Sequence, residues 1–275
     1  MPYEFTDEQA NHIEEVRNQA NARIVRKVEI TILLLLRELS RQATERITKG
    51  QYPVPTGANY QWSQRLLAGQ LAEGRIASMT GYNSSAELMR SLGTPSTTIT
   101  ENSLEFSFLL GGIDTYFNEA AKRQATTLSA EVERSFRERG AEQVDGQLKY
   151  ASKGALAGAV QEDLEQFNQN YAQLVAMAGI VWASNEGVMR QLLRAGVTKL
   201  KWWTAEDERV CPFCAELHGT VITMGAAFVP AGERFAAPKT NAAGETYTVY
   251  LTEQGYEIQH PPVHVRCRCI LLPYE

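Results

Sequence analysis

The chain has 275 residues and a hydrophobic content of 44%, enough to bury a sizeable core in one or two domains. A formal net charge of −5 gives it none of the overall basic character that autonomous nucleic-acid binding needs. The longest apolar run, Ile32-Leu33-Leu34-Leu35-Leu36, is far too short to span a bilayer, and the opening Met1-Pro2-Tyr3-Glu4-Phe5-Thr6 has no secretory-signal pattern.

Thr6 followed by Gln9 is a capping-box start, and the pattern predicts a helix to about Lys49, ended by Gly50. Its apolar stripe is Ala20, Ile24, Val28, Ile32, Leu36, Leu39, Ala43 and Ile47, at three-four spacing. Around Leu33 to Leu36 the apolar residues go nearly all the way round, which predicts enclosure by other helices. Such a helix serves either as the spine of a bundle or as a docking element for a larger assembly.

Tyr52 to Gly57 reads as a loop. A second helix is predicted from about Asn59 to Met79, with Leu66, Leu67, Leu71 and Ile76 inward, and a short third one capped at Asn83-Ser84-Ser85 and ending near Gly93. After a linker at Thr94 to Thr98, a helical stretch runs from Asn102 to Arg139, with a possible break at Gly111-Gly112. Gly140 to Gly158 reads as a connection with weak helix, and a further helix spans about Gln161 to Gly196. Gly179 and Gly187 weaken that helix, each by up to about 1 kcal/mol against alanine.

At Gly196 the helical periodicity stops. Val197 to Trp203 alternates and reads as a strand, as do Thr220 to Ile222 and the closing Ile270 to Pro273. Tyr247 to Leu251, a turn at Thr252 to Gly255, and Tyr256 to Ile258 read as a hairpin, with Asn241 to Gly244 as a surface loop. The sum is an α+β chain, mostly helical with long helices first and a small β-rich end. It divides into a long-helix region over 1–140, a helical connection over 141–196 and a β-rich domain over 197–275.

All four cysteines fall in two clusters of that last part: Cys211-Pro212-Phe213-Cys214, and His264-Val265-Arg266-Cys267-Arg268-Cys269. Tetrahedral zinc takes four sulfur or imidazole ligands, commonly as two pairs brought together by the fold. Cys211, Cys214, His264 and Cys267 are the first choice, with Cys269 as the substitute, because residues one apart on a strand face opposite ways. His218 is a further candidate, weighed against a plain loop histidine before Gly219, and His260, ahead of Pro261-Pro262, reads as an ordinary loop residue. Two disulfides, a redox pair and inert buried thiols are the competing readings. Disulfides are disfavoured in a reducing compartment, and a redox Cys-x2-Cys needs a βαβ setting that the sequence lacks.

Trp203-Thr204-Ala205-x-Asp207-x2-Val210-Cys211-x2-Cys214-x2-Leu217-x-Gly219, with Pro261-Pro262-x-His264-x2-Cys267-Arg268-Cys269-x-Leu271, resembles the C-terminal domain of phage Mu F-like minor head proteins. The resemblance covers roughly Gly196 to Pro273. Many relatives have proline after the histidine, where this chain has Val265. The resemblance implies a structural protein of a tailed-phage head. Such proteins enter the procapsid in few copies beside the portal, so the portal or other head proteins are the implied partners. Their place is the head interior of the virion, after assembly in the host cytoplasm, with packaged DNA at most an indirect neighbour. Locally, Trp203 is expected to fill the small core beside the site, Asp207 to bind backbone N–H groups or Arg268, and Gly219 to permit a turn at positive φ.

Two other functions compete. A metal-dependent hydrolase or nuclease would need an open metal position and a general base, and Glu216 and His218 are the neighbours available. There is no His-Glu-x2-His, nucleophile elbow or P-loop, and thiolate ligation damps Lewis acidity, so no catalytic residue is assigned. A nucleic-acid-binding zinc module would need clustered cations, whereas residues 200–275 hold six Lys and Arg against nine Asp and Glu, 6 − 9 = −3. Neither a membrane nor a small-molecule cofactor is implied. The apolar run in the first helix leaves self-association open.

Overall fold

The structure is a computed structural model that describes residues 5–55, 57–101, 103–144, 147–150, 152–204, 210–241, 243–251, 257–264 and 266–274. Four long helices come first: α1 (Asp7–Thr48), α2 (Ala58–Ser91), α3 (Leu104–Ala141) and α4 (Lys153–Arg194). Two-residue strands β1 (Gln143–Val144) and β2 (Gln147–Leu148) pair between α3 and α4. After α4 come β3 (Lys199–Trp203), the short α5 (Pro212–Leu217), β4 (Val221–Thr223), β5 (Ala236–Thr240), β6 (Thr246–Tyr250) and β7 (Ile270–Tyr274). The α+β class expected from the sequence is the one observed. No helix is long and apolar enough to cross a membrane among the described residues.

The capping box forms as read. Gln9 N donates to Thr6 Oγ1 at 3.3 Å, and Thr6 N to Gln9 Oε1 at 3.0 Å, so two backbone donors at the open helix end are satisfied reciprocally. Gly50, at φ 71°, ends α1 with its N–H on the Ile47 carbonyl. The stripe from Val28 through Ile32, Leu36, Leu39 and Ala43 to Ile47 is buried. The leucine run is not enclosed all round: Leu34 is 60% exposed and Ile30, one turn earlier, 46%.

The predicted break between a second and third helix is absent, since α2 is continuous to Ser91. Asn83 and Ser85, which read as capping residues, spend their side chains elsewhere. Asn83 exchanges two hydrogen bonds with the Ile99 backbone, at 2.7 and 2.9 Å, and the Ser85 hydroxyl reaches Gln191 at 3.0 Å. The break at Gly111-Gly112 is likewise absent from α3. α4 starts eight residues before the expected Gln161 and runs through Gly179 and Gly187, because packing outweighs the glycine cost.

The chain folds into two compact units. One gathers Met1–Ile24, Gly74–Leu110 and Ile180–Glu275, and the other Val25–Glu73 and Gly111–Gly179. Among its described residues, the second is helical apart from β1, β2 and the connecting turns. Its buried polar groups pair across helices: Gln70 with Gln124 at 2.6 and 3.2 Å, and Asn168 Nδ2 with Ser40 Oγ at 2.9 Å.

In the first unit, β3 is the centre of an antiparallel sheet in the order β4-β3-β7. Strand alternation divides its side chains between two cores. Leu200, Trp202 and Leu271 join Met89, Val188, Leu192 and the buried cysteines, whereas Trp203, Ile270 and Leu272 pack with Ala10, Phe5 and Ile13 of the N-terminal stretch. β6 pairs with β5, Ala236↔Tyr250 through Thr240↔Thr246. Between β5 and β6, Asn241 Oδ1 accepts from the N–H groups of Ala243 and Glu245, whereas the turn of the hairpin predicted after β6 falls outside the described residues. Residues 252–256 lie outside the described residues, and Ile258 bridges to Val229.

Candidate metal centre

The first cysteine pair is set by a helix start. Cys211 is the N-cap of α5, in extended conformation (φ −80°, ψ 156°), and Pro212 follows where its missing N–H costs nothing. The Cys211 thiol takes the capping role usually given to an oxygen, accepting from Cys214 N at 3.3 Å. One helical turn then aims Cys211 and Cys214 at the same point.

The second cluster precedes β7. Arg266 holds φ 63°, a left-handed conformation rare outside glycine, and Cys267 N donates to the His264 carbonyl. The chain turns there, so the strand argument against using both Cys267 and Cys269 does not apply. Both are buried, and both lie with Cys214.

The five sequence-predicted side chains come together. Their ligand atoms form two triads that share Cys214: Cys211, Cys214 and His264, and Cys214, Cys267 and Cys269, with the atoms of each triad within 4.8 Å of one another. His264 Nε2 is 2.8 Å from Cys211 Sγ and 3.1 Å from Cys214 Sγ, and Cys214 Sγ is 3.8 Å from Cys267 Sγ. All four cysteines are free thiols.

The donor set fits a soft divalent metal. Sulfurs at about 2.3 Å from a tetrahedral ion lie roughly 3.8 Å apart, which is the Cys214–Cys267 spacing. The electrostatics point the same way. Hydrogen bonding from Cys214 holds the Cys211 thiol below its ordinary range, helped by His264, and hydrogen bonds from Cys214 and Cys267 hold Cys269 low. Cys214 is pushed up because its thiol donates hydrogen bonds to these neighbours, and Cys267 by burial. Crowded thiols can be thiolates together only if a cation offsets their charge.

The surroundings are built from β3, β7 and α4. Trp202, fully buried and edge-on to Phe228 at 5.0 Å, fills the core beside the cysteines. The sequence assigned that place to Trp203. Trp203 instead occupies the other sheet face, with its indole N–H on Asn11 at 3.3 Å. His218 stands apart from the triads: its Nδ1 lies 2.9 Å from the Thr204 carbonyl, and its ring is 4.5 Å from that of Trp203. Gly219 takes the positive φ expected of it, 76°. Asp207 and its expected bonds lie outside the described residues.

The outer edge of β7 is closed by side chains. Trp202 exchanges its peptide hydrogen bonds with Thr220 and Gly219, so Leu271, paired opposite it, turns its carbonyl outward. Arg17 Nη1 of α1 donates to that carbonyl at 3.0 Å, and Asn185 Nδ2 of α4 to the Cys269 carbonyl two residues back at 3.3 Å. Pro273, next on the same side, has no N–H to leave open.

His260 is not the plain loop residue read from sequence. It is buried, its ring lies 5.2 Å from that of Trp182, and Nε2 is 3.1 Å from Glu186 Oε2. The sequence carried no signal for this, because its partner sits 74 residues away on α4.

With this geometry in view, the comparison with known families decides the identity of the region. Residues 140–272 match the family described as Phage Mu protein F like protein. This stretch is phage Mu F-like. No curated protein and no solved structure matches the chain. The match takes in the helix α4, the strands β3 and β4, the first part of β7 and both cysteine clusters. The Mu F-like family points to phage head morphogenesis as the setting in which the chain works.

Proposed function

We propose that the chain is a structural minor head protein of a tailed phage, incorporated during procapsid assembly beside the portal and clipped at its C-terminal end by one zinc ion. The observation that carries this reading is the coincidence of the Mu F-like match with a buried Cys/His cluster inside it. Cys211, Cys214, His264 and Cys267 would hold the ion, with Cys269 adjoining Cys214 and Cys267 as the alternative thiolate. Bound there, zinc would contribute folding free energy to a small sheet domain. Sulfur-rich ligation fits a structural role and not hydrolysis.

In this reading the chain works as a long-helix region over 1–140, a helical connection over 141–196 and a zinc-clipped domain over 197–275. The helical region docks on the portal or another head protein. The exposure of Ile30 and Leu34 on α1 supports that assignment, since apolar side chains left wet on a charged helix face favour a covering partner. The place of action is the head interior of the virion, reached from the host cytoplasm.

The test is mass spectrometry of purified heads from a phage that encodes the chain. The chain is expected in mature heads and in procapsids that contain portal, at low copy number. Its absence from both particles would overturn the assignment.

A further inference from the structure

Three consecutive residues of α4, Ser184, Asn185 and Glu186, are polar and buried. Buried polar groups in a helix interior need partners outside the helix, and these partners show what the run does. Ser184 sits at the close approach to Gly81. Asn185 holds the Cys269 carbonyl. Glu186 holds His260, four residues ahead of His264, so adjacent side chains of α4 grip both ends of the segment that carries the second ligand cluster.

The hydrogen-bond inventory around His260 limits where its protons can be. Its Nδ1 lies 2.7 Å from the Pro261 carbonyl oxygen, which can only accept, so Nδ1 carries a proton. Its Nε2 faces Glu186 Oε2 at 3.1 Å. The other oxygen, Oε1, accepts from Arg190 Nε at 2.7 Å, and a guanidinium can only donate. An ionised Glu186 then needs a second proton on the ring, at Nε2. Burial alone would raise the Glu186 carboxyl, but the hydrogen bond and charge of His260 and the charge of Arg190 outweigh it and hold the group below its ordinary range. Each side chain of the pair is only 5% exposed, so water cannot substitute for either partner.

We propose that Glu186 and His260 form a buried ion pair, with both ring nitrogens protonated, that positions the segment leading to His264 against α4. They are positioning residues: neither is a ligand, and they act through the chain between His260 and His264. The link to metal retention rests on the zinc reading above, whereas the ion pair does not.

The test uses the full chain. Nitrogen NMR of the His260 ring at neutral pH is expected to show both nitrogens protonated. Glu186→Gln can still donate an amide N–H to Nε2, so it is expected to give a neutral ring protonated at Nδ1, with hydrogen exchange at Ile258 unchanged. Glu186→Ala is expected to speed exchange at Ile258, whose N–H bonds the Val229 carbonyl just ahead of the pair, by about 10-fold. Zinc release to a chelator should be faster by about 10-fold in Glu186→Ala and within about twofold of the parent in Glu186→Gln. A neutral ring in the parent overturns the proposal, and so do Gln and Ala variants with the same exchange. If Glu186→Ala does not fold, the ring signature in the parent and its change in Glu186→Gln decide. A parent chain that binds no zinc counts against the proposed function, while the ring and exchange measurements still decide the ion pair.

Discussion

Gly187 of α4 lies so close to Ser78 of α2 that a Cβ at position 187 would sit 1.9 Å from the Ser78 carbonyl oxygen. The relationship is reciprocated one turn away, where a Cβ on Gly81 would sit 2.0 Å from the Ser184 carbonyl oxygen. Real Cβ atoms do not approach oxygen this closely, and the obstacle at both places is backbone. The two glycines therefore set the distance between α2 and α4 where Asn185 and Glu186 reach toward the ligand segment. Gly187→Ala should force the helices apart and cost about 3 kcal/mol, the upper part of the usual overpacking range. Gly111→Ala has open space around it and should be neutral or slightly stabilising. Denaturant unfolding of the two variants checks both outcomes.

The same glycine shows what the sequence could and could not reveal. Gly187 reads as a weak point in a helix, because propensity is local and the reason for the residue is a backbone on another helix. Local signals were legible for the same reason. Thr6 and Gln9 cap each other within one turn, and Cys211 and Cys214 are brought together by a single turn of α5. The clustering of all four cysteines pointed to one centre, and the structure gathers the five predicted side chains there. Long-range choices were not legible. Asn83 carries the chemistry of a helix cap but binds the Ile99 backbone, and β6 pairs with β5, a stretch the sequence did not mark as a strand. Trp202 and Trp203 are identical in type, and only the register of β3 on β7 decides which faces the cysteines. Strand geometry alone places Cys269 behind Cys267 as a ligand, and the left-handed turn at Arg266 removes that objection.

Arg17 closes the sheet edge from α1, and its cost is visible in its own chemistry. Burial pushes its guanidinium down to about 10, still charged at neutral pH. Arg17→Met keeps most of the apolar stem but leaves the Leu271 carbonyl without its donor. Stability should fall by about 1–3 kcal/mol, the cost of an unsatisfied buried acceptor. Equilibrium unfolding measures the loss. An unchanged midpoint would mean that water or another donor takes over the carbonyl.

Asp163 on α4 gives the helical unit an acid-sensitive contact. Its carboxylate accepts from Arg139 Nε at 2.9 Å and from Ser135 Oγ at 2.6 Å, and the Arg139 bond, ahead of Ser135, holds it below the ordinary carboxylate range. A carboxyl lowered in the folded state stabilises the fold above its unfolded value and loses that contribution as pH falls through the folded one. Stability should therefore drop as pH is taken below about 4, and Asp163→Asn should be less stable at neutral pH with a flatter acid limb. Thermal melts of parent and variant across that range test the sign. A variant with the parent's full acid slope would show that other carboxylates carry it.

The central claim is that the Mu F-like region is closed by one metal ion held between its two cysteine clusters. Elemental analysis of freshly purified full-length chain, paired with intact-mass measurement of thiol state, tests it most directly. The account predicts about one zinc per chain and four reduced cysteines, with the metal lost in a Cys214→Ser variant because Cys214 is common to both triads. A metal-free chain carrying 211–214 or 267–269 disulfides would contradict it.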